Sequence, residues 1–337
     1  MATVVPKAGA AWEVREVPLP RPGPGEVLIK VHASGVCVND VLAARGVLPF
    51  PTHAPAVPGH EPVGEVVEVG PGVTSRRVAD RVGVTWVQAG CGRCAYCRRN
   101  PQVSGRTALN CVAPTTTGFS AQGGLAEYLV ARAEGTVLLP DGLSYLQAAP
   151  MMCAGYTAWS ALRAADARPH ERVAVLGIGA VGHLALQFAR ACGFRTVAVT
   201  HSPDKHRAAL DLGAELVVAD GDELRAAGGA DVVLATGSSY RAASDSMRGL
   251  RVDGRIVLSG LDASGAFDLS PARPFFAQGH RVIGSTHNGP ALLAEALDLA
   301  AAGRCTATTE VFAADRTAEA ADRVAAGDVR FRAVVSY

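Results

Sequence analysis

A chain of 337 residues, 49% of them hydrophobic, is long enough for two domains and can bury large cores. Its 32 basic and 31 acidic residues leave a formal charge of +1 and form no long run, which argues against a nucleic-acid surface or an electrostatic membrane anchor. No apolar stretch reaches membrane-spanning length, and Met1-Ala-Thr-Val lacks the regions of a secretion signal, so a cytoplasmic protein with a small-molecule partner is expected, without nucleic acid or membrane.

Residues 1–90 read as β-rich. Val27–Ala33 and Gly64–Gly70 alternate apolar and polar residues, and Pro18, Pro20, Pro22 and Pro24 punctuate the stretch. Two segments within it carry chemistry: Gly35-Val36-Cys37-Val38-Asn39-Asp40 after one strand, and Pro58-Gly59-His60-Glu61 before another. Cys91, Cys94 and Cys97 then recur at every third residue, with Cys111 after a longer gap. Without a secretion signal, cysteines bunched in this way favour metal over disulfides. Four thiolates on a loop that doubles back can close a tetrahedral zinc site. An iron–sulfur run would need its fourth cysteine sooner, followed by proline. A structural zinc lobe is therefore expected over about 88–115.

Strand-like alternation returns over Gly118–Leu139, and Pro150–Trp159 opens a helical segment. From Arg172 the pattern is that of a nucleotide-binding unit. Val173–Leu176 is a short β-branched run, and Gly177, Gly179 and Gly182 follow at G-x-G-x-x-G spacing. A helix containing Leu184, Leu186 and Phe188 comes next, then a second strand over Thr196–Val199. The glycines allow a tight turn, a close approach to pyrophosphate and tight helix–strand packing, while the helix start faces the phosphates. A glycine-rich turn of purely structural use is the bland reading. At the second strand's end, where an NAD enzyme usually has Asp or Glu, stand Thr200, His201, Ser202 and Lys205. A carboxylate would repel a 2′-phosphate and this cluster would hold one, so NADP(H) is expected; the alternative is a solvated loop that tolerates either cofactor. The α/β rhythm continues through strands Asp231–Thr236, Arg255–Gly260 and His280–Ser285, and a helix over Leu292–Ala302. Strand, helix (Ala318–Ala326) and strand complete the tail.

These motifs, together with Gly123-Gly124…Glu127-Tyr128, Met152-Cys153-Ala154-Gly155 and Gly327-Asp328-Val329-Arg330, occur in an order that resembles the zinc-dependent medium-chain alcohol dehydrogenases. The resemblance covers essentially the whole chain and is nearest to the bacterial aldehyde-reductase and cinnamyl-alcohol-dehydrogenase-like branch. It implies an α/β protein with a GroES-like β-rich catalytic domain, residues 1–149 and 289–337, and a Rossmann doubly wound parallel-sheet domain, residues 150–288. It implies two zinc ions per subunit: a catalytic one held by Cys37, His60 and Cys153, which Glu61 can approach, and a structural one on Cys91, Cys94, Cys97 and Cys111. Asp40 would orient His60. Gly177, Gly179, Ala180, Val181 and Gly182 would meet the pyrophosphate, and Thr157, Thr236, Ser259, Gly260 and Ser285 the rest of the cofactor. Trp86 and Phe119 are candidates for the substrate pocket. Such proteins form dimers or tetramers through their Rossmann sheets, which makes Arg281–Ser285 the candidate edge.

This chain departs from the family at informative places. Asn39 replaces the Ser or Thr whose hydroxyl starts the proton relay, and Val41–Arg45 lacks the relay histidine. The gap before Cys111 is also long, an insertion that a surface loop tolerates. The expected activity is hydride transfer between NADP(H) and an alcohol or aldehyde. Asn39 motivates an alternative, NADPH-dependent reduction of C=N (iminium) or conjugated C=C bonds in specialised metabolism, and a non-catalytic cofactor-binding protein is the alternative of another class.

Overall fold

Glu26–Val36, the longest strand of the chain, is the spine of the first of two units that the computed structural model contains. The structure describes residues 1–99, 109–262, 265–269 and 272–337, so residues 100–108 of the expected cysteine lobe lie outside it. The first unit comprises Met1–Cys153, His287–Ala301 and Ala307–Tyr337, and the second Ala154–Thr286 and Ala302–Thr306. This division differs by a few residues from the expected one. Pro150–Cys153 groups with the first unit because Met152 fills the groove left by Gly83, where a Cβ would stand 2.9 Å from the Met152 methyl.

The first unit is built on a seven-stranded sheet. Glu26–Val36 pairs antiparallel with Glu61–Val69 on one side. On the other side its first half pairs with Tyr128–Arg132 and its last residues with Arg332–Ser336. Arg81–Val84, Thr136–Leu138 and Thr309–Ala313 complete the sheet. Alternation sends Val27, Ile29 and Val31 inward against Val66, Val82, Val84 and Leu129, all with essentially no exposure. Each such side chain contributes about 1.5–3 kcal/mol. A second core joins Val36 and Val41 to Leu125, Phe312, Ala333 and the helix Thr317–Ala326, which Gly327 ends in the left-handed conformation. The helix Val38–Ala44 is an addition to the sequence reading: at seven residues it is too short for its periodicity to stand out.

The second unit carries six parallel strands in the order Leu216–Val218, Arg195–Val199, Arg172–Leu176, Ala230–Ala235, Leu250–Leu258, Arg281–Gly284. By position in the chain this is 3-2-1-4-5-6, the doubly wound order, whose switch point lies where Arg172–Leu176 meets Ala230–Ala235. Leu216–Val218 had no counterpart in the sequence reading, since three residues carry no pattern. The strand expected from Arg255 begins at Leu250, its early part disguised by the turn-like Asp253-Gly254.

One ion pair clamps the base of this sheet. Arg255, 3% exposed, makes paired hydrogen bonds to Glu171 at 2.9 and 2.6 Å and a third to the Asp166 carbonyl at 2.9 Å. Hydrogen bonds from Arg255 outweigh burial and hold the Glu171 carboxyl at about 2. Glu171→Gln, which leaves a buried guanidinium without its counter-charge, is expected to cost about 3 kcal/mol in denaturant unfolding at neutral pH. Because the folded-state pKa is depressed, the pair's contribution is complete above the unfolded carboxyl's value of about 4.5 and is lost as pH falls towards 2. Wild type and variant should therefore converge in acid; a constant gap from pH 7 to pH 2 would refute the assignment.

Candidate active site and metal clusters

Among the described residues, two groups of side chains that could hold a metal converge in the first unit. Cys37, His60, Glu61 and Cys153 each offer one ligand atom, and these atoms all lie within 4.8 Å of one another. Cys37 caps the helix Val38–Ala44, His60 and Glu61 stand at the start of Glu61–Val69, and Cys153 follows the turn Ala149–Met152. Asp40 ties two of these segments together. Its carboxylate accepts from the Cys37 amide at 3.0 Å and the Gly59 amide at 3.3 Å, and pairs with His60 Nδ1 at 2.7 Å. With Nδ1–H donating to Asp40, the His60 Nε2 lone pair is left to a metal.

The electrostatics describe a site short of positive charge. A hydrogen bond from Cys153, opposed by burial and aided by His60, draws the Cys37 thiol well below its ordinary value. The same hydrogen bond and burial push Cys153 well up. Burial, opposed by Arg332, raises Glu61 to about 7. Burial works against the imidazolium of His60, but Asp40 outweighs it and raises that pKa. Two thiols, an oriented imidazole and a carboxyl crowded out of water form a donor set that suits zinc.

Four neighbours complete the cluster: Arg332, His287, Trp86 and Phe119. Arg332 donates to Glu61 Oε1, with both side chains almost fully buried. Sequence reasoning passed it over, although an arginine opening the apolar strand Arg332–Ser336 was a usable signal. His287, 4% exposed, has Nε2 3.3 Å from the Cys153 carbonyl and its ring edge-on to Trp86 at 6.2 Å. Burial first, then the charge of His60, lowers its pKa to about 4. No local pattern marks this histidine. Trp86 and Phe119 lie 6.3 and 6.1 Å from the His60 ring and 5.9 Å from each other, forming an aromatic wall beside the ligands. Asn39 and Leu42 are half-buried on the helix after Cys37.

The second group is Cys91, Cys94, Cys97 and Cys111, again with ligand atoms within 4.8 Å. All four are free thiols. Backbone amides point at the sulfurs: Cys91 N lies 3.1 Å and Ala113 N 3.4 Å from Cys111 Sγ, and Cys97 N lies 3.4 Å from Cys94 Sγ. The Cys97 and Val112 amides draw Cys94 down to about 6, while burial pushes Cys97 up to about 12. Four converging sulfurs with amides directed at them fit a tetrahedral metal and need no disulfide.

In the second unit the glycine turn sits at the switch point. Gly177 has φ +86°, and a Cβ there would stand 2.8 Å from Gly237 Cα. A Cβ on Gly182 would stand 2.8 Å from Thr236 Oγ1. Protein packing thus requires both residues, whereas a Cβ on Gly179 would meet nothing within 4 Å. Gly179 faces open space, which a pyrophosphate approaching the turn would need. Ala180 and Val181 lead into the helix Gly182–Ala191. Thr236 braces the turn, its hydroxyl donating to the Gly177 carbonyl at 2.8 Å, and Ser259 likewise donates to the Ala235 carbonyl at 3.2 Å. Gly260 and Ser285 lie at the ends of neighbouring strands, and Ser285 N donates to Leu258 O at 3.0 Å. Thr157 is buried on the helix Ala154–Ala164. Thr200 Oγ1 accepts from Ser202 N at 3.2 Å, shaping the turn on which His201 is exposed and Ser202 and Lys205 are half-buried. Gly237, which holds the turn from behind, was absent from the sequence reading.

Comparison with known proteins gives the same reading. An alcohol dehydrogenase GroES-like domain model matches residues 23–141, and a zinc-binding dehydrogenase model matches residues 180–302. An alcohol dehydrogenase of Geobacillus stearothermophilus is 38% identical over 340 residues, covering 99% of this chain and 98% of the relative. Among solved structures, a cobalt- and zinc-bound thermostable alcohol dehydrogenase from Pyrobaculum aerophilum is 30% identical, with a TM-score of 0.85 over 100% of this chain and 99% of its own. A cinnamyl alcohol dehydrogenase from Sorghum bicolor is 28% identical, with a TM-score of 0.86 over 99% and 96%. Similarity this extensive, carried by both halves of the sequence, means that the chain belongs to the zinc-type medium-chain alcohol dehydrogenase family.

Proposed function

We propose that the protein is an NADP(H)-dependent alcohol dehydrogenase or aldehyde reductase holding one catalytic and one structural zinc per subunit. The observation that carries this reading is the convergence of Cys37, His60, Glu61 and Cys153 beside an aromatic wall. Zinc bound there supplies a Lewis acid for the oxygen of an alcohol or carbonyl. The chain's own residues do the rest. Asp40 fixes the tautomer and ring plane of His60, Arg332 holds Glu61, and Trp86 and Phe119 offer an apolar face to a substrate beside the ligands. Asn39 can hydrogen-bond a substrate oxygen but cannot pass a proton through itself as a hydroxyl does, so proton delivery needs water or another group, such as a neighbouring histidine.

The preference for NADP(H) is supported by Thr200, His201, Ser202 and Lys205 at the end of Arg195–Val199, where no carboxylate stands. Thr200→Asp keeps an acceptor for Ser202 N while adding a negative charge where a 2′-phosphate would sit. The variant is expected to shift the ratio of kcat/KM values at least about tenfold towards NADH; an unchanged ratio would remove the 2′-phosphate site from this turn. Self-association as a dimer or tetramer fits the edge strand Arg281–Gly284, which pairs on one side only among the described residues and whose Val282 is 37% exposed. Val282→Lys should yield monomers in light scattering, and a persistent oligomer would place the interface elsewhere.

No described helix is long and apolar enough to cross a membrane; a cytoplasmic location is part of the same proposal. NADPH oxidation against aromatic and aliphatic aldehydes, enals and cyclic imines, with and without a zinc chelator, tests the activity. Chelator-sensitive aldehyde reduction is expected. Turnover confined to imines or enals would replace the aldehyde reading, and NADPH binding with no turnover would leave a non-catalytic cofactor-binding protein.

A further inference from the structure

Glu61 reaches its arginine by crossing a strand. Glu61 opens Glu61–Val69, Arg332 opens Arg332–Ser336, and the end of Glu26–Val36 runs between them. The register sets Gly35 opposite Glu61 on one side and opposite Val334 on the other. Directly paired residues of antiparallel strands share a face, as do residues two apart along one strand. Glu61, Gly35, Val334 and Arg332 therefore project from the same side. So does Cys37, two residues beyond Gly35 in a backbone still extended at φ −104° and ψ 152°.

Neighbouring strands lie about 4.8 Å apart, so a carboxylate and a guanidinium rooted on the two outer strands must meet above the middle one. Gly35 is where they cross. A Cβ there would stand 2.8 Å from Glu61 Cδ and 3.1 Å from its Cβ, and closer still to Oε2. Gly35 is not among the glycines with positive φ, so its backbone conformation does not call for glycine. Glycine inside a strand weakens it, and here the return is space. Arg332 holds Oε1 of Glu61, while Oε2, lying over Gly35, is buried without a hydrogen-bond partner among the described residues.

We propose that Gly35 is a positioning residue: the space left by its missing side chain is the slot in which the Glu61 carboxylate rests, outside the position that substrate oxygen takes among Cys37, His60 and Cys153. In the slot the carboxylate already lies within 4.8 Å of those ligand atoms, so a small push off the strand by a side chain at position 35 would make it a standing fourth donor to a bound metal. The inference rests on reading this cluster as a metal site and adds a residue that touches neither metal nor substrate.

The test uses the zinc-loaded full chain and its cobalt-exchanged form, comparing wild type, Gly35→Ala, Glu61→Asp and Gly35→Ala/Glu61→Asp. Imidazole affinity is read from the visible absorption of the cobalt form, and metal release from the rate of zinc transfer to a colorimetric chelator. Gly35→Ala should bind imidazole about tenfold more weakly and release the cluster's zinc more slowly. Shortening the carboxylate by one methylene should recover most of both effects, a coupling that general destabilisation would not produce. Wild-type protein that binds zinc only in the four-cysteine lobe would overturn the metal reading itself. Wild type with two zinc ions and a Gly35→Ala variant indistinguishable from it would overturn the slot alone. Should Gly35→Ala fail to fold, recovery of folded protein in the double variant reports the same coupling, and equal damage in both overturns it.

Discussion

Cys153→Ser is expected to lower kcat/KM by about a thousandfold or more, since the polarisation a metal supplies at a developing charge is worth several kcal/mol. The substitution is nearly isosteric, so it tests chemistry and not packing. A serine hydroxyl stays protonated near neutral pH and makes a poor zinc ligand, whereas Cys37 and Cys153 sit in hydrogen-bond contact and a bound cation would deprotonate both thiols. Zinc content should fall from two ions per chain to one, because the lobe of Cys91, Cys94, Cys97 and Cys111 is a separate cluster. Far-UV circular dichroism should not change. A variant that keeps both zinc ions, or turns over at the wild-type rate with one, would remove Cys153 from the catalytic set.

Arg332→Met is expected to destabilise the first unit by about 3–5 kcal/mol, the cost of leaving a buried carboxylate without its partner. Glu61 has no exposed surface and Arg332 is 4% exposed, so neither can turn to water. The second half of this prediction separates pairing from packing. In Arg332→Met/Glu61→Met the ion pair gives way to apolar side chains of similar volume, an exchange that is often neutral. Most of the lost stability should therefore return in the double variant. Equal destabilisation of single and double variants in urea would mean that Arg332 acts through its packing alone.

Much of the candidate site was legible in the sequence because its signals are local. Gly177, Gly179 and Gly182 lie within one turn at a spacing that reads directly from the sequence, and Gly177 there takes φ +86°. Cys91, Cys94 and Cys97 are three apart because a doubled loop returns its thiols to one point, and Asp40 stands three residues from Cys37 because its carboxylate reaches back to that amide. The long strands were legible for the same reason: alternation in Val27–Ala33 records which face is wet.

What only the tertiary structure decided is which distant residues face one another. Arg332 meets Glu61 across 271 positions of chain, and His287 meets Cys153 across 134. No periodicity records such a meeting, because a strand's pattern specifies which face its side chains occupy but not which strand lies alongside or in what register. Gly35 is the clearest case. In the sequence it reads as one more small residue before a cysteine. Only the register that sets it opposite Glu61, with Arg332 on the far side of the same strand, turns its missing side chain into a requirement for space.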